Sequence, residues 1–278
     1  MKTPLKLREK IKHHLSQQYE GIFSHETIEK HLEDHVGSIQ SDALIERIKP
    51  FMKKGQKALD IGCGYGSFVL AARKNGYDCH GLEIEVFENN ISKKRAEDEG
   101  VNPSIFTQGS ALDLPYSDND FDVITFWNVL EHIPDYKKAL KEAKRVLKPK
   151  GKIFMVAPNY ASFRSEAHYH VPWIPFFPKK LASFYLRCLG RDPSFLHECI
   201  FYITTFGVKR ILRKLNFSIS TCEVDKIKSE IPFYSNKLNK IVSFFEAIRV
   251  KKLFCKILFS LQTHPFKKAI DMTASKND

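Results

Sequence analysis

The stretch "LDIGCGYGSF", residues 59–68, decides the fold, because a short apolar run leads directly into three glycines at alternate positions. Gly62, Gly64 and Gly66 follow a predicted strand and precede a predicted helix. Glycines at such a junction allow a backbone to come close to a nucleotide. The stretch therefore predicts a nucleotide-type ligand at the end of the first strand.

The sequence on both sides of this stretch alternates strand-like and helix-like patterns. Strands are predicted at "KALDIG", "YDCHGLEI", "PSIFTQ", "FDVITFW" and "KIFMVA", and helices over residues 67–75, 86–99 and 135–147. After a gap, "TTFGVKRILRKLNF" predicts a helix with a threonine N-cap, and "FSISTCEV" predicts a sixth strand. This alternation predicts an α/β fold with a Rossmann-like, doubly wound, mostly parallel sheet.

Three segments lie outside the alternation and divide the chain. Residues 1–54 have helical apolar spacing and predict a helical N-terminal flank packed on the sheet; the spacing is at Ile22, Ile28, Leu32, Ile39, Leu44 and Ile48. Residues 158–201 are dense in aromatics and prolines and predict a structured insertion with short helices, here called the lid. The central domain then covers residues 55–235.

Residues 236–278 return to helical spacing and predict basic amphipathic C-terminal helices. The first apolar stripe comprises Ile241, Phe244, Phe245 and Ile248. The second lies on the opposite side and comprises Val250, Leu253, Phe254, Ile257, Leu258 and Leu261. A change of side implies two helices with a break near residues 249–252.

The amino-acid composition limits the kinds of protein and of partner that fit this chain. The 278 residues are 43% hydrophobic and 12% aromatic, which suffices for a packed core. Residues 1–150 hold 23 basic and 23 acidic side chains, whereas residues 151–278 hold 21 and 9, so the second part carries the whole net charge of +12. This imbalance predicts an anionic partner for that part, which is an acidic small substrate, an anionic membrane surface or nucleic acid.

Cysteine usage and the N-terminus indicate a cytosolic protein. The six cysteines form no C-x-x-C pair and have no regular spacing, which argues against a disulfide framework and a zinc knuckle. The charged N-terminus lacks an apolar segment, and no stretch is long enough to span a membrane. His31 and His35 have a metal-compatible spacing, but no third ligand is evident, so no metal site is predicted.

The glycine spacing is G-x-G-x-G rather than the G-x-G-x-x-G of dinucleotide sites, because Ser67 stands at the expected third glycine. A flat ligand without phosphates, such as S-adenosylmethionine, requires only close backbone approach. Glu83 ends the second strand 21 residues after Gly62, where a carboxylate can accept hydrogen bonds from ribose hydroxyls. Dinucleotides and S-adenosylmethionine both bind to such a carboxylate, so Glu83 alone does not distinguish between these two cofactors.

Five sequence motifs, which follow one another along the chain, distinguish between the two cofactors. They are "ALDIGCGYG", "GLEI", "GSALDLPYSDNDFDVITFWNVLEHIPD", "RVLKPKGKIFMVAPN" and "HECIFYITTFGVKRILRKLNF". With them the chain resembles the class I S-adenosylmethionine-dependent methyltransferases, in the small-molecule group that includes the ubiquinone-biosynthesis type enzymes. The resemblance covers residues 55–157 and 197–225.

The resemblance implies a cofactor role for a defined set of residues. Asp60 and the loop from Gly62 to Gly66, including Cys63 and Gly64, contact the methionine moiety in such enzymes, Glu83 holds the ribose and Ile84 lines the adenine. Relatives have Gly-Asp where this chain has Gly109 and Ser110, followed by Ala111, so a hydroxyl or Asp113 replaces the usual carboxylate near the adenine. Asn128 contacts the methionine end through its backbone, and residues 130–133 pack below the transfer site.

The lid follows the fifth strand, so it should cover the acceptor side of the crevice at the carboxyl ends of the strands. His168, His170 and His197 are the candidate bases, because histidine titrates near neutral pH. Arg164 and Arg187 are candidate clamps for an anionic acceptor. Trp173 and Phe176 are candidates for an apolar wall, although aromatic residues in a long loop more often pack the lid onto the domain than touch a substrate.

The prediction is a cytosolic methyltransferase that transfers a methyl group to oxygen of a small or carrier-linked acceptor, with a glycan or an isoprenoid as examples. Two rivals stay open: an RNA methyltransferase, supported by charge alone, and a non-catalytic binding scaffold that keeps the fold. In the C-terminal helices, Arg249, Lys251, Lys252 and Lys256 are assigned to a basic face opposite the apolar one. Such a face is either solvated or in peripheral contact with an anionic membrane.

Overall fold

The computed structural model describes residues 3–233, 235–247 and 249–277. The strands in these residues are β1 Lys57–Ile61, β2 Asp78–Glu83, β3 Phe106–Gln108, β4 Phe121–Trp127, β5 Leu147–Pro158, β6 Arg164–Ser165, β7 Pro172–Trp173, β8 Phe217–Ser220 and β9 Ala269–Lys276. The α-helices are α1 Leu5–Gln18, α2 His25–Val36, α3 Ile39–Ile48, α4 Ser67–Lys74, α5 Val86–Asp98, α6 Tyr136–Val146, α7 Lys179–Cys188, α8 Ser194–Glu198, α9 Thr205–Lys214, α10 Cys222–Lys228, α11 Asn236–Ala247 and α12 Lys251–Gln262. Short 3-10 helices cover Lys49–Phe51, Pro103–Ile105 and Leu130–His132.

A seven-stranded sheet in the order β3-β2-β1-β4-β5-β9-β8 forms the centre of the molecule. The pairs β1·β2, β1·β4, β2·β3 and β4·β5 are parallel, whereas β9 is antiparallel to both β5 and β8. The doubly wound, mostly parallel fold is thereby confirmed. The strand order reverses between β1 and β4, which opens a crevice at the carboxyl ends of these strands.

Two predictions near the C-terminus are wrong. The strand predicted at "FSISTCEV" ends at Ser220, because Thr221 accepts a hydrogen bond from the Val224 amide and starts α10. The segment assigned to C-terminal helices contains β9, which lies in the sheet between β5 and β8. Alternate burial of Ile270, Met272 and Ala274 explains the strand, because side chains of a strand point to opposite faces in turn.

Polar side chains cap several helices at the positions that the sequence allows. Ser24 accepts from the Thr27 amide at the start of α2, and Thr204 accepts from the Gly207 amide at the start of α9. The threonine N-cap predicted for "TTFGVKRILRKLNF" is therefore confirmed. Such caps satisfy amides that have no partner inside the helix.

The first two helices of the N-terminal flank pack against the lid, whereas Ile45 and Ile48 of α3 pack on α4 and the sheet, as predicted. One buried cluster joins Leu7, Ile11 and Leu15 of α1 with Tyr160, Tyr169, Trp173 and Leu196 of the lid. The lid itself contains the short hairpin β6–β7 and the helices α7 and α8. Ile39, which belongs to the predicted apolar spacing, is 87% exposed. The flank and lid together form a layer above the carboxyl ends of β1 and β4.

The C-terminal helices α11 and α12 break at the predicted place, and Arg249 adopts a left-handed φ of 56° there. Phe254 and Leu258 pack towards Val224 and Ile227 of α10, and Phe245 stacks on Phe254. Ile248, which was assigned to the first apolar stripe, lies outside the described residues. Across the described ranges, no helix has both the length and the apolar character needed to cross a bilayer.

Candidate active site

The glycine loop, residues 62–66, leaves the carboxyl end of β1 in left-handed conformations. Gly62, Gly64 and Gly66 have φ values of 71°, 51° and 77°. A Cβ on Gly62 would lie 2.2 Å from Cγ2 of Val129, and one on Gly66 would lie 2.6 Å from Cζ of Phe106. Only glycine fits at these two positions, because both the backbone angle and the close approach exclude a side chain.

Glu83 holds the loop from the end of β2. Its Oε2 accepts a hydrogen bond from the Gly64 amide at 2.8 Å, and its Oε1 accepts from the amides of Ile84 at 2.8 Å and Glu85 at 3.0 Å. Burial raises the pKa of this carboxyl, and the three amide contacts oppose that effect. The carboxylate is thus fixed against the loop at the point where β1 and β2 end side by side.

Asp60 lies on β1, beneath the loop. It is 3% exposed, and its Oδ1 accepts a hydrogen bond from Thr125 Oγ1 of β4 at 2.6 Å. Burial raises the pKa of Asp60 to about 7, although the Thr125 contact acts in the opposite direction. A buried carboxyl with such a pKa is typical of a functional site rather than of a packing position.

Glu88 is a site residue that the sequence reading missed. Burial, followed by the charges of Glu83 and Glu85, raises the pKa of Glu88 to about 8. Its Oε2 would lie 3.6 Å from a Cβ on Gly64, so this carboxyl borders the glycine loop from the first turn of α5. In the sequence, Glu88 is the third acidic residue after Glu83 and Glu85, about one helical turn beyond the end of β2, and this position could have identified it as a site residue.

The remaining cofactor candidates surround the loop. Ile84 is 59% exposed next to Glu83. Ser110 Oγ accepts from the Leu112 amide at 3.1 Å, and Ser110 forms a bridge with Asp113. Asn128 has a left-handed φ of 52° directly after β4, and its amide donates to Val156 O at 2.8 Å.

Two further cofactor candidates have small side chains. Burial raises the pKa of the Cys63 thiol well above its usual value, which keeps this thiol in the glycine loop neutral and unreactive. Ala111 is partly buried and packs against the main hydrophobic core. Neither side chain adds a charge to the crevice.

His168 is the most enclosed of the three predicted bases. It is 7% exposed; its Nδ1 lies 3.3 Å from Glu166 Oε1, and its Nε2 lies 3.2 Å from Nε2 of His132. Burial by itself raises the pKa of Glu166, but contacts with His168, the Tyr169 amide and Arg164 lower it to about 2. Glu166 is therefore an anion that orients His168.

The other two predicted bases lie elsewhere. His170 is exposed, has a φ of 54°, and its ring centre lies 5.7 Å from that of Phe23 in the N-terminal flank. Burial of part of its ring lowers the pKa of His170, so it is neutral at pH 7. His197 is exposed on α8, and its Nε2 lies 2.6 Å from Ser183 Oγ of α7. The structure therefore does not bring the three histidines together.

The predicted anion clamps and apolar wall are mostly structural. Arg164 is wrong as a free clamp, because its guanidinium lies 3.1 Å from Glu166 Oε1 and over the ring of Tyr160, with the side chain 7% exposed. Trp173 is 2% exposed inside the lid cluster, whereas Phe176 is 63% exposed on the surface. Arg187 is exposed near the end of α7.

Glu131 and His132 form a second group, for which the sequence predicts a packing role below the transfer site. Glu131 and His132 follow β4 in a 3-10 helix, and Glu131 is 1% exposed. Burial raises the pKa of Glu131 to about 7 and lowers that of His132 to about 4. Their importance appears only in the folded chain, where the lid brings His168 to them from 36 residues away.

The rings of α2 also face this region. Burial, followed by the charge of His35, lowers the pKa of His31 to about 3. The ring centre of His31 lies 5.3 Å from that of Tyr19 and 5.0 Å from that of Phe23. The space between flank and lid is therefore lined by neutral aromatic groups.

Comparisons with known proteins agree with this geometry. Residues 59–155 match the family described as "Methyltransferase domain". The demethylmenaquinone methyltransferase of Bacillus velezensis is 33% identical over 155 residues, which are 53% of this chain and 64% of that protein. The chain thus matches less than two thirds of the length of this curated relative.

Solved structures show the same fold. YcgJ from Bacillus subtilis superposes with a TM-score of 0.53 at 19% identity, over 86% of this chain and 99% of that one. Phosphoethanolamine N-methyltransferase 2 from Haemonchus contortus, solved with S-adenosyl-L-methionine, gives a TM-score of 0.53 at 18% identity, over 86% and 52%. The matched family identifies residues 59–155 as a methyltransferase domain of the class I, S-adenosylmethionine-dependent type, and the likeness to the solved structures concerns the fold alone.

Proposed function

We propose that the protein transfers a methyl group from S-adenosylmethionine to oxygen of a small or carrier-linked acceptor. One observation carries the proposal: the glycine loop and Glu83 face each other at 2.8 Å where the sheet order reverses. Parallel α/β sheets bind their ligands at this place. A scaffold without a ligand would gain nothing from three left-handed glycines around a buried, raised-pKa Asp60.

The residues around the loop fit the cofactor. A carboxylate offers about four acceptor positions, and the amides of Gly64, Ile84 and Glu85 occupy three at Glu83. Two ribose hydroxyls would therefore take the free position and displace one amide. Gly62, Gly66 and the backbone of Asn128 would approach the methionine end. Ile84, Ser110 and Ala111 would border the adenine.

The chain's part in the chemistry is to hold the cofactor and the acceptor in line and to exclude water. S-adenosylmethionine, when bound, supplies a methyl carbon already activated by its sulfonium sulfur. Transfer to an acceptor oxygen would break the carbon–sulfur bond, release S-adenosylhomocysteine and pass the hydroxyl proton to a base, so the chain has to hold that oxygen in line and supply the base. The flank and lid would hold the oxygen in line and keep water out.

We assign the base role to His170. It is neutral at pH 7 because partial burial lowers its pKa, and it is exposed near Phe23 between the flank and the lid. His168 is a weaker candidate, because its Nε2 points at His132 rather than at open space. His197 is engaged with Ser183 and has no part in the proposal.

The acceptor is proposed to be an isoprenoid-linked ring. The rings of Tyr19, Phe23 and Phe195 pack on one another between flank and lid, with centroids 4.4 and 5.3 Å apart, so the surroundings of the proposed acceptor are apolar although these rings fill their own space. The relative named above is a demethylmenaquinone methyltransferase, which supports a quinone-type acceptor for this chain as well.

Peripheral membrane contact would suit such an acceptor. Leu253, Ile257 and Leu261 of α12 are 56%, 50% and 67% exposed, next to the exposed Lys252 and Lys256. Lys251 does not belong to this face, because it donates to Glu230 and Glu246. Exposed apolar residues beside cations are typical of a helix that lies on an anionic membrane.

A radiolabelled transfer assay tests the function. The purified chain is incubated with methyl-labelled S-adenosylmethionine and, in turn, prenylated quinols, anionic glycans and total tRNA. The proposal expects label in the quinol, with kcat reduced about 100-fold in His170→Asn, as for loss of a general base. Label in tRNA would support the RNA methyltransferase, and cofactor binding without any transfer would support the scaffold.

A further inference from the structure

Three potential metal ligands meet where the lid covers the end of β4. Glu131, His132 and His168 each direct one ligand atom to a common place, and these atoms lie within 4.8 Å of one another. The two Nε2 atoms are 3.2 Å apart. Two of the ligands come from the 3-10 helix after β4 and one comes from the lid, so the fold itself assembles the group.

The contacts of the two rings determine where their protons are. The Nδ1 of His132 lies 2.7 Å from the carbonyl oxygen of Cys199, which can only accept, so this Nδ1 carries a hydrogen. The Nδ1 of His168 lies 3.3 Å from the anionic Glu166 Oε1 and must also donate. In their neutral forms both rings therefore present a bare lone pair on Nε2.

Two bare lone pairs at 3.2 Å repel each other unless a cation lies between or beside them. The positive charge near Glu131 is also shared with a second carboxylate. Arg164 lies against Glu166 at 3.1 Å, which leaves the 1% exposed Glu131 as the second carboxyl near a single arginine. Its Oε2 has no hydrogen-bond partner in the described part of the chain. Buried carboxylates of this kind are paired or coordinate metals.

We propose that Glu131, His132 and His168 bind one divalent transition-metal ion of the Zn²⁺ type. Two imidazole nitrogens and one carboxylate oxygen are a donor set that such ions prefer. Zinc–nitrogen bonds of about 2.0 to 2.1 Å place two nitrogen ligands of a tetrahedral ion about 3.3 Å apart. The 3.2 Å between the two Nε2 atoms matches that spacing, and the ligand atom of Glu131 lies within 4.8 Å of both rings' ligand atoms.

The hydrogen bonds of the two Nδ1 atoms support the same assignment. Metal-bound histidines usually donate their other N–H to a carbonyl or a carboxylate, which fixes the ring. His132 does so to Cys199 O, and His168 does so to Glu166. Three protein ligands leave a fourth position for water or for an oxygen of the acceptor. The cluster follows Val129, whose side chain contacts Gly62, so the ion would border the cofactor crevice.

Metal titration tests the proposal without the cofactor. The untagged full chain is stripped with a chelator, and Zn²⁺ is titrated by calorimetry while Co²⁺ is followed by its visible absorption. We expect one equivalent per chain. Glu131→Gln and His132→Asn should weaken Zn²⁺ binding by at least 100-fold, and Glu166→Gln should weaken it by about 10- to 100-fold. The control is His197→Asn, an exposed histidine of the lid, and it should bind as the wild type does.

The proposal is overturned if the folded wild-type chain takes up no stoichiometric ion, as expected when the two rings share a proton instead. It is equally overturned if Glu131→Gln and His132→Asn bind Zn²⁺ like the control. Circular dichroism shows whether each variant is folded. Should a ligand variant unfold, anomalous scattering at the zinc edge from wild-type crystals decides between an ion at the cluster and one elsewhere. Titration of S-adenosylmethionine into the stripped chain separates failure of the cofactor site from failure of the metal site.

Discussion

The cofactor edge of the sheet and the flank–lid layer above it differ in how their functional groups come together. At the edge, Asp60, the glycine loop and Glu83 occupy 24 consecutive residues and two adjacent strands. In the upper layer, His132 and His168 meet across 36 residues, and Phe23 of the N-terminal flank lies near His170 of the lid. The first region is built by local chain geometry and the second by tertiary packing, so substitutions should act differently in each.

The largest effect is expected for Gly62→Ala at the cofactor edge. The new Cβ would overlap Val129 and would also force a side chain into a left-handed conformation. We expect the free energy of unfolding to fall by about 3 to 5 kcal/mol, and cofactor binding to be lost. Gly100→Ala is the matched control, because Gly100 has a similar φ of 69° and nothing within 4 Å of its Cβ. The control should lose about 1 kcal/mol in urea unfolding; equal losses would mean that the close approach to Val129 is unimportant.

The next effect concerns Asp60 and pH. Its pKa is about 7 in the folded chain, above its unfolded value, so the folded state binds the extra proton and loses stability as pH rises from about 4 to 7. Asp60→Asn keeps the contact with Thr125 without this penalty. Above pH 7 the variant should be more stable by about 4 kcal/mol in urea unfolding, and the two proteins should converge near pH 4. A difference that does not vary with pH would contradict the account.

In the lid, Arg164→Ala should be more harmful than Arg187→Ala. Removal of Arg164 leaves Glu166 buried with one charge partner fewer and removes the contact with Tyr160. We expect a loss of about 2 to 3 kcal/mol, against less than about 0.5 kcal/mol for the exposed Arg187. Thermal unfolding followed by circular dichroism measures the stability of both variants. Similar melting temperatures would show that Arg164 contributes no more to stability than the exposed Arg187 does.

The smallest effect is expected on the surface of α12. Ile257→Ser should lower binding to anionic vesicles about threefold, because about 0.8 kcal/mol is lost for each buried CH₂ group and only part of the side chain inserts. Ser260→Ala, on the same exposed side, is the control. Deletion of residues 236–278 cannot serve here, since it removes β9 from the sheet. Co-sedimentation unchanged by Ile257→Ser would argue that α12 is simply solvated.

The two regions also differ in how well the sequence predicted them. The loop, Glu83 and the order of strands β1 to β5 follow from spacing, because strand periodicity and glycine geometry act over a few residues. β9 was missed although Ile270, Met272 and Ala274 alternate, because the preceding helical pattern was extended through them. An antiparallel strand inserted between β5 and β8 has no local signal for its partners.

Long-range assembly explains the remaining differences. Trp173 and Arg164 read as acceptor contacts because aromatic and basic residues in a loop are typical of binding sites, yet both are buried by packing of the flank against the lid. Glu131 and His132 read as packing residues because their third partner, His168, lies on a separate segment. Only the folded chain could show that the three share one place.

Calorimetric titration of S-adenosylmethionine into the wild-type chain, Glu83→Ala and Glu97→Ala tests the central claim most directly. Glu83 is fixed against the glycine loop by the Gly64 amide, whereas Glu97 pairs with Lys94 on the exposed side of α5. We predict binding by the wild type and by Glu97→Ala, and binding at least 100-fold weaker in Glu83→Ala, since hydrogen bonds to a charged group contribute about 1.5 to 3 kcal/mol each. Absence of binding in the wild type, or equal binding by all three proteins, would contradict the proposed cofactor site.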